Sequence, residues 1–504
     1  MLSFLLIVKS SKGQPIESLV GNPMPQRYFQ INQFKERFKK VPSLIGLSNL
    51  HPYSLGSLNG YYSDGTLKSL QSYGNLEGLS LGIESLAPLE NTNWVFYGEL
   101  DYYNTQKKQV EANLSYFTQP FGSPYYFFQA VEGLWGHQYY KLAVDASNQV
   151  SDKISLGFHL QYNTDFLYRK NDTRNETVSL RIPIKLGISY QLLPTHTVSL
   201  AVGMEFAKAD IMLNNRYTFS GQDDNYRIYF NTGMGSFLNG IDTGAETKRK
   251  TPELQLHYLI RGKSFDLSAQ SMTRIGKENW VDKNVYRVDQ PNEISSFNVI
   301  NQELRFQSNI YFSRNYLALI ASTNYVSGEG SYFNRVISRF QKNYNNHIFS
   351  YELKALLFYN KGLINQIGLG LSSYNHERTD TNYAYQLDNR YIKPEVFLGI
   401  NKPILNRFDC FGMINTGIKY PMKVKHDPFA ASNIYVELIG IPLANYMENR
   451  ILDSKIIFGF NHGLKENGLV EYTWHTNYQR AINAADEFSN AKFLEFIFNV
   501  RFYF

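Results

Sequence analysis

The C-terminal stretch, Lys492 to Phe504, alternates strictly between two kinds of position. Every second residue is apolar (Phe496, Phe498, Val500, Phe502 and Phe504), and Glu495, Ile497, Asn499, Arg501 and Tyr503 fall between them. A period of two places each set on its own face of a β-strand. In a closed barrel inside a bilayer, the apolar face contacts lipid and the other face lines the lumen. The alternative is an ordinary buried strand of a soluble sandwich.

The same alternation recurs upstream in three successive long runs, at 154–163, 177–192 and 198–206. These runs exceed the roughly 5–6 residues usual in soluble sheets and reach the about 9–11 that a tilted transmembrane strand needs. Further strands are predicted near 75–87, 93–103, 252–262, 264–276, 298–312, 315–327, 347–361, 363–376, 390–401, 407–420, 451–463, 468–480 and 491–504. The total is about 18 strands, with a range of roughly 14 to 20.

The predicted connections alternate between short and long. Short ones include 262–263, 313–315, 361–362 and 465–467, and long ones include 211–251, 277–297, 328–346 and 421–450. In hydrocarbon every backbone polar group must be paired internally, so a sheet survives there only if it closes. The pattern therefore predicts an all-β, antiparallel up-and-down transmembrane β-barrel with short periplasmic turns and long extracellular loops. An even strand count places both termini at the periplasmic side of a bacterial outer membrane.

The composition changes this interpretation little. Aromatic residues make up 15% of the 504 residues, with 38 Tyr and 35 Phe, which suits the aromatic girdles of such barrels. No apolar run is long enough for a transmembrane helix. The net charge of +6 is spread without a basic block, so nucleic-acid binding has no support. The single Cys410 excludes a disulfide framework and a cysteine-built metal site, and no cofactor is predicted.

The N-terminus is interpreted separately from the barrel, which is assigned to 51–504. Residues 1–13 contain a short apolar core followed by small residues, as at the end of a secretory signal peptide. The basic start of such a peptide is missing, which leaves open a true start codon upstream, and an uncleaved apolar N-terminus is the alternative. Within 14–50, helical spacing of apolar residues predicts a short amphipathic helix from Gln26 to Lys40, with a mobile leader as the alternative.

Polar residues on the inward face of the predicted strands are candidate lumen-lining residues. They are His159, Gln161, Arg181, Lys185, Glu205, Arg305, Glu495 and Arg501. A charge facing lipid costs about 2–4 kcal/mol at mid-bilayer, so these side chains should point inward. They form either a charged constriction that selects solutes or a set of mutually paired charges that fill the lumen. Mixed signs favour the pairing.

Other chemistry finds little support. The His376-Glu377-Arg378 run, in a predicted long loop, is a weak metal candidate against an ordinary solvated loop. No GxSxG elbow indicates a hydrolase. The loop after the 198–206 strand is rich in glycine without a strand–helix pattern, so a phosphate cradle is not expected. Pro183 inside a strand cannot donate to the ladder and predicts a bulge or break there.

Three stretches carry a resemblance: NWVFYGELDYYN (93–104), GLWGHQYYKLAVDAS (133–147) and DFLYRKNDTRNETVSLRIPIKLGISY (165–190). They resemble an uncharacterised outer-membrane β-barrel family of Bacteroidota, whose members often lie near TonB-dependent receptors. Tyr168-Arg169 followed by Asp172-Thr173-Arg174 resembles a strand-end motif of that family, with Thr173 where proline is expected. The terminal alternation ending on Phe504 resembles the signal read by the barrel-assembly machinery. The resemblance implies fold and location, and no catalytic residues.

Three functions follow as hypotheses. The first is a channel or solute-uptake component, with a TonB-dependent receptor as its candidate partner. The second is a structural or partner-binding accessory barrel with a closed lumen. The third is an embedded hydrolase, for which no triad is visible. Lumen openness separates the first two, because an 18-strand barrel has room for an aqueous channel unless internal segments fill it.

Overall fold

The structure is a computed structural model of an almost all-β chain. It describes residues 41–47, 52–69, 72–114, 122–171, 173–214, 227–234, 237–238, 244–283, 293–312, 315–334, 337–359, 362–405, 408–428, 433–463, 469–482, 488 and 490–503. The signal-like segment 1–13, the helix predicted from Gln26 to Lys40 and the terminal Phe504 lie outside the described residues.

The described chain contains twenty-one strands. In order they are β1 (Tyr53–Gly65), β2 (Asn75–Pro88), β3 (Trp94–Val110), β4 (Tyr126–Phe128), β5 (Gly133–Ser151), β6 (Ile154–Arg169), β7 (Arg174–Leu193), β8 (His196–Asn214), β9 (Tyr229–Asn231), β10 (Phe237–Leu238), β11 (Gly244–Arg261), β12 (Phe265–Asp282), β13 (Glu293–Phe312), β14 (Asn315–Asn334), β15 (Arg339–Phe358), β16 (Ile364–Asp380), β17 (Tyr385–Leu405), β18 (Phe408–Pro428), β19 (Arg450–Gly463), β20 (Leu469–Ile482) and β21 (Lys492–Tyr503). Helical parts are a 3-10 turn at Pro42–Leu44 and a segment at Asn433–Tyr435, Val436–Gly440 and α1 (Ile441–Glu448). Within the described residues, no helix has the length and apolarity needed to span a membrane.

Eighteen of these strands form one closed antiparallel sheet, and β4, β9 and β10 form a separate small sheet. Each barrel strand pairs with the next barrel strand along the chain. The last strand closes the barrel against the first, with Leu55 opposite Tyr503 and Gly65 opposite Phe493. Closure pairs the edge groups that a bilayer could not hydrogen-bond. The predicted antiparallel barrel and its strand number are confirmed.

The outer face of the barrel is apolar, as the period of two requires. Phe496, Phe498 and Phe502 point outward and remain 37–43% exposed. Val500 shares their face but is buried, between Leu58 and Tyr472 on the neighbouring strands. Exposed apolar side chains continue this belt around the barrel, among them Leu79, Leu81, Leu160, Leu186, Val202, Leu256, Ile275, Leu319, Leu369, Val396 and Phe458. In lipid such a surface is solvated by acyl chains, whereas in water it would associate.

The two rims of the barrel differ. Connections at one end, here named the turn rim, are short, and Tyr53 and Tyr503, the described ends of the barrel, both lie there. The opposite end is named the loop rim. The long loop predicted at 328–346 was wrong, because β14 runs to Asn334 and β15 starts at Arg339. The other long loops are also shorter than predicted. Beyond the apolar belt strands continue with polar residues on both faces, so alternation of hydropathy no longer marks them.

Pro183 interrupts one ladder, as predicted from its missing amide proton. Strands β6 and β7 are in register on both sides of it, at Leu160–Ile184 and at Asn163–Arg181, with no ladder pairs between. The ladder to β8 continues through Pro183 opposite Glu205. The break therefore lies on one side of β7 only.

The lumen at the loop rim holds a packed group of segments, here named the loop-rim plug. It consists of residues 122–129, which carry β4, residues 227–234, which carry β9, and the helical segment 433–448. Their apolar side chains join inward residues of the wall in one buried cluster that includes Phe127, Phe128, Phe230, Trp280, Phe297, Tyr385 and Ile439. An 18-strand barrel has room for an aqueous channel, and the loop-rim plug fills that room at one end of the lumen.

A second segment, residues 41–47, lies inside the barrel at the turn rim. The carbonyl of Ser43 accepts hydrogen bonds from Ser155 Oγ (2.9 Å) and Ser147 Oγ (3.3 Å), and the Ser43 hydroxyl contacts Ser189 Oγ at 2.7 Å. Gly157 permits this approach, since a Cβ there would stand 2.1 Å from the Ser43 nitrogen. This turn-rim segment is therefore held by side chains of three wall strands.

Candidate functional site

The register of β5 to β13 places polar residues of seven strands in one row across the inner wall. The row runs Asp145, His159, Lys185, Gly203, Glu253, Arg274 and Asn301, each opposite the next. Together with residues of the adjacent rows it lines a cavity of about 350 Å³, here named the charged chamber. Directly opposed residues on one face have their Cβ atoms about 4.5–5.5 Å apart, so neighbouring charges in the row interact.

Oppositely charged side chains pair throughout the charged chamber. Lys185 Nζ lies 2.8 Å from Glu253 Oε1, and Arg274 contacts the other oxygen of the same carboxylate. Lys185 reaches Glu253 across Gly203, where a Cβ would stand 3.0 Å from the lysine Cγ. Because each charge is only partly hydrated there, its partner supplies much of the stabilisation that water would give.

Two further groups of the chamber are paired in the same way. Arg249 Nη2 donates to Glu205 Oε1 at 2.9 Å and lies 3.7 Å from Glu278 through its other terminal nitrogen. His159 Nδ1 contacts Asp145 Oδ1 at 2.8 Å, and both side chains are buried. Besides His159, the chamber lining holds four Lys or Arg side chains, which balance the four carboxylates of Glu99, Asp145, Glu205 and Glu253 in charge. The chamber therefore presents charges of both signs, and these charges are paired with one another within the wall.

The structure brings together five of the eight predicted lumen residues. His159, Gln161, Arg181, Lys185 and Glu205 all line the charged chamber. The other three lie on inner faces elsewhere. Arg305 is on β13, Glu495 accepts a hydrogen bond from Asn477, and Arg501 donates to Glu471 at 3.1 Å.

Sequence reasoning missed Arg249, Glu253, Arg274 and Asp145, which complete the chamber. The sequence pattern that could have revealed two of them lies at 248–257. There Arg249 and Glu253 occupy odd-numbered positions, whereas Leu254 and Leu256, at even-numbered positions, point outward. The strand was expected to begin near 252, so Arg249 was counted as loop. Its real start at Gly244 places both charges on the inner face.

A second cavity of about 390 Å³ lies against the wall of β13 to β17. It meets the charged chamber at Asn301, whose buried side-chain oxygen has no hydrogen-bond partner among the described residues. Its inward lining includes Glu303, Asn324, Ser350 and Tyr374. The lumen between the loop-rim plug and the turn-rim segment is thus polar on both walls.

The metal candidate at His376-Glu377-Arg378 was wrongly placed in a loop. These residues belong to β16, where His376 Nε2 contacts Asn346 Oδ1 and Nδ1 lies 3.2 Å from the Tyr374 hydroxyl. The polar sequence beyond the apolar belt resembled a loop although the ladder continues. No group of three or more His, Cys, Asp or Glu that could hold a metal ion occurs in the described part of the chain.

The loop-rim plug is attached to the wall by rings and by carboxylates. The Trp280 ring lies 5.3 Å from that of Phe230 and 6.2 Å from that of Phe127, centroid to centroid. Trp280 Nε1 donates to Glu278 Oε1 at 2.8 Å, and Ser123 Oγ of the plug donates to the same oxygen at 2.9 Å. Aromatic pairs of this geometry contribute about 0.5–1.5 kcal/mol each beyond burial.

A second carboxylate, Asp380 on β16, holds another part of the plug. Its Oδ2 accepts hydrogen bonds from the Met234 backbone nitrogen at 2.9 Å and from Asn343 Nδ2 at 3.2 Å. In the helical segment, burial raises the pKa of Tyr435 to about 12, so that its hydroxyl stays neutral within the cluster. Arg169, from the motif at the end of β6, donates to the carbonyls of Val131 and Glu132. These bonds hold the segment that connects the plug strand β4 to the wall strand β5.

These features define a class: a membrane-spanning β-barrel of the outer-membrane type whose polar lumen is occupied at both rims. The chain belongs to a family of unknown function, DUF6850, whose family model matches residues 42–504. The sequence matches no curated protein.

Solved outer-membrane barrels are similar to the chain at low identity. The outer membrane transporter YddB from Escherichia coli has 8% identity and a TM-score of 0.42 over 89% of this chain and 80% of that chain. The siderophore receptor PirA from Acinetobacter baumannii has 9% identity and a TM-score of 0.41, covering 90% and 80%. PiuA, a siderophore receptor from the same organism, has 9% identity and a TM-score of 0.37, covering 89% and 82%.

Proposed function

We propose that the protein is a gated outer-membrane barrel that takes up a polar solute. The observation that carries this proposal is the polar lumen between two packed segments, the loop-rim plug and the turn-rim segment. A barrel built only as a scaffold would not need two polar cavities in its lumen. In this proposal the turn rim faces the periplasm and the loop rim faces the cell exterior.

Gating follows from how the plug is held. Its contacts with the wall are the buried apolar cluster, aromatic pairs and side-chain hydrogen bonds, including those that involve Glu278, Asp380, Asn343 and Tyr125. Side-chain contacts of this kind can be exchanged for contacts with a solute or with a partner protein, whereas the backbone ladder of the barrel cannot. The partner in this proposal is another outer-membrane protein, such as a TonB-dependent receptor, that biases the plug toward its open state.

Planar-bilayer conductance tests the proposal. The wild-type protein should be silent, and Trp280→Ala, which removes the wall ring that packs on both Phe127 and Phe230, should produce openings. Trp474→Ala is the matched control, because Trp474 points outward and contacts Phe498 at 5.1 Å rather than the plug. Insertion is checked by heat-modifiable gel mobility. Large, steady openings of the wild type would contradict the closed resting state.

The same closure favours a second candidate, an accessory barrel that binds a partner and passes no solute. The two candidates differ in the Trp280→Ala variant. If this variant inserts correctly and its plug becomes protease-sensitive while the bilayer stays silent, the lumen is no pathway and the accessory function is favoured.

A further inference from the structure

The inner wall of β13 to β17 carries two adjacent rows of polar side chains, here named the polar double row. In the first row Glu303, Asn324, Ser350, Tyr374 and Tyr391 lie opposite one another, strand after strand. The second row, one step nearer the turn rim, is Arg305, Ser322, Glu352, Ser372 and Lys393. Outward neighbours such as Leu319, Leu353 and Leu369 are exposed to lipid, which fixes these rows on the lumen side.

The size of the double row suits an extended ligand. Strands in a sheet lie about 4.8 Å apart, so five strands give a surface about 19 Å long. The cavity of about 390 Å³ lies along this surface. Its volume is within the range of about 300–1,000 Å³ that ligand sites occupy. The apolar cluster of Tyr316, Leu356 and Phe358 closes the wall toward the turn rim, and the plug lies beyond Asn301 at the other end.

Two of the charges in the double row are already neutralised by protein partners. Glu352 is paired with Lys354 at 2.5 Å, and Lys393 is paired with Asp453 at 2.6 Å. With Glu303 and Arg305 included, the double row carries two acids and two bases, so it offers no excess of one sign to an ionic solute. This differs from a site for a free anion or cation, which presents an excess of one sign.

Uncharged side chains supply further hydrogen-bonding groups along the double row. Ser322, Asn324 and Ser350 face the lumen, half-buried, and none has a side-chain hydrogen bond within the described residues. Hydroxyl and amide groups both donate and accept hydrogen bonds, so they can pair with ligand hydroxyl groups that act as donors or as acceptors. The unpartnered oxygen of Asn301 lies at the edge of the same cavity.

Two tyrosines supply a flat surface at one end of the first row. The rings of Tyr374 and Tyr391 are stacked, with centroids 5.3 Å apart and planes at 24°. Lys419 Nζ lies over the Tyr391 ring at 4.8 Å from its centroid. The Tyr374 hydroxyl is held by His376. The rings are therefore fixed in place, as a surface for stacking must be.

We propose that the polar double row binds a neutral oligosaccharide. Alternating hydroxyl groups of sugar units match the neutral donors and acceptors, and the C–H face of a pyranose ring packs on tyrosine. A peptide of similar length would instead require backbone pairing with a free strand edge, and the closed ladder of β13 to β17 offers none. The assignment names the solute class of the proposed uptake function and rests on that function for its role in the cell.

Calorimetric titration of the full-length protein in detergent tests this assignment without any transport. The probes are maltotetraose, cellotetraose and tetraglycine, applied to the wild type and to Trp280→Ala, whose lumen is accessible. At least one tetrasaccharide should bind, and tetraglycine should not. Asn324→Ala with Ser350→Ala should weaken that binding about tenfold or more, because two hydrogen bonds are lost. The outward pair Thr416→Ala with Ser454→Ala is the control and should bind as the wild type does.

Three outcomes overturn the assignment: neither tetrasaccharide binds to either protein, tetraglycine binds in their place, or the Asn324/Ser350 double variant binds unchanged. Tyr374→Leu is a second variant, so that misfolding of the first does not decide the result. Saccharide binding with a silent bilayer for Trp280→Ala would keep the site and reject the uptake function. Openings without saccharide binding would keep the uptake function and reject the site.

Discussion

The pairing of Glu253 with two cations leads to a sharp prediction for Glu253→Gln. The amide keeps the size of the side chain but removes the charge that faces Lys185 and Arg274. The Lys185 and Glu253 side chains are 11% and 9% exposed, so lumen water replaces the lost partner poorly. The variant also leaves three carboxylates against the four Lys and Arg side chains of the chamber lining, where the wild type has four.

The magnitude follows from the geometry. At 2.8 Å and an effective dielectric constant of about 20, the direct attraction of one pair is about 6 kcal/mol, much of which desolvation offsets. Removing one partner of a buried pair costs about 3–5 kcal/mol. Because the Arg274 side chain remains 32% exposed and can be hydrated, we expect a loss near the lower limit, about 3 kcal/mol.

The measurement is urea unfolding of the protein in phospholipid vesicles, followed by tryptophan fluorescence and by heat-modifiable mobility. Glu246→Gln is a matched control, since Glu246 also contacts two lysines, Lys208 at 2.6 Å and Lys248 at 2.5 Å, whose side chains are 50% and 62% exposed. We expect this control to lose less than about 1 kcal/mol. Equal losses of unfolding free energy in the two variants would refute the argument that burial increases the contribution of the Glu253 ion pairs to stability.

Three further predictions concern other parts of the barrel. Gly203→Ala places a methyl group against Lys185 and the Ile184 carbonyl oxygen and should lower stability by about 1–3 kcal/mol in the same unfolding experiment, with a less than additive loss when combined with Glu253→Gln. Phe498→Arg puts a charge on the lipid face and should cost about 2–4 kcal/mol for folding into vesicles, and an unchanged folding yield would contradict the outward orientation. Arg169→Ala removes two hydrogen bonds to loop carbonyls and should speed proteolysis between β4 and β5 while the barrel stays heat-modifiable.

The faces of the strands could be predicted from the sequence to a large extent. Alternation at His159, Lys185 and Arg501 was enough to assign their side chains to the lumen, because a period of two leaves only two directions. The same rule placed Phe496 and Phe498 outside. It failed at His376, where the strand continues beyond the apolar belt and both faces become polar, so that the pattern no longer distinguishes strand from loop.

The partners of those side chains could not be predicted in the same way. Whether Lys185 meets Glu253 depends on the registers of β7, β8 and β11, and a slip of one residue in any ladder exchanges the faces. Register is set by the hydrogen bonds between neighbouring strands and by the connections that join them, which the alternation within one strand does not reveal. Gly203, the residue that lets the lysine pass, has no signature of its own in the sequence.

The sequence by itself therefore determined a transmembrane barrel of about this size, since alternation is a local property of each strand and a bilayer tolerates such strands only in a closed sheet. Only the tertiary structure decided that the lumen is occupied at both rims and that polar residues of β13 to β17 form a continuous double row. The plug segments carry no periodic pattern, and their apolar residues, such as Phe127 and Phe230, find partners only when the closed wall surrounds them. The alternation along a strand decides whether a side chain points inward or outward, whereas the side chains that it contacts depend on how the whole barrel is assembled.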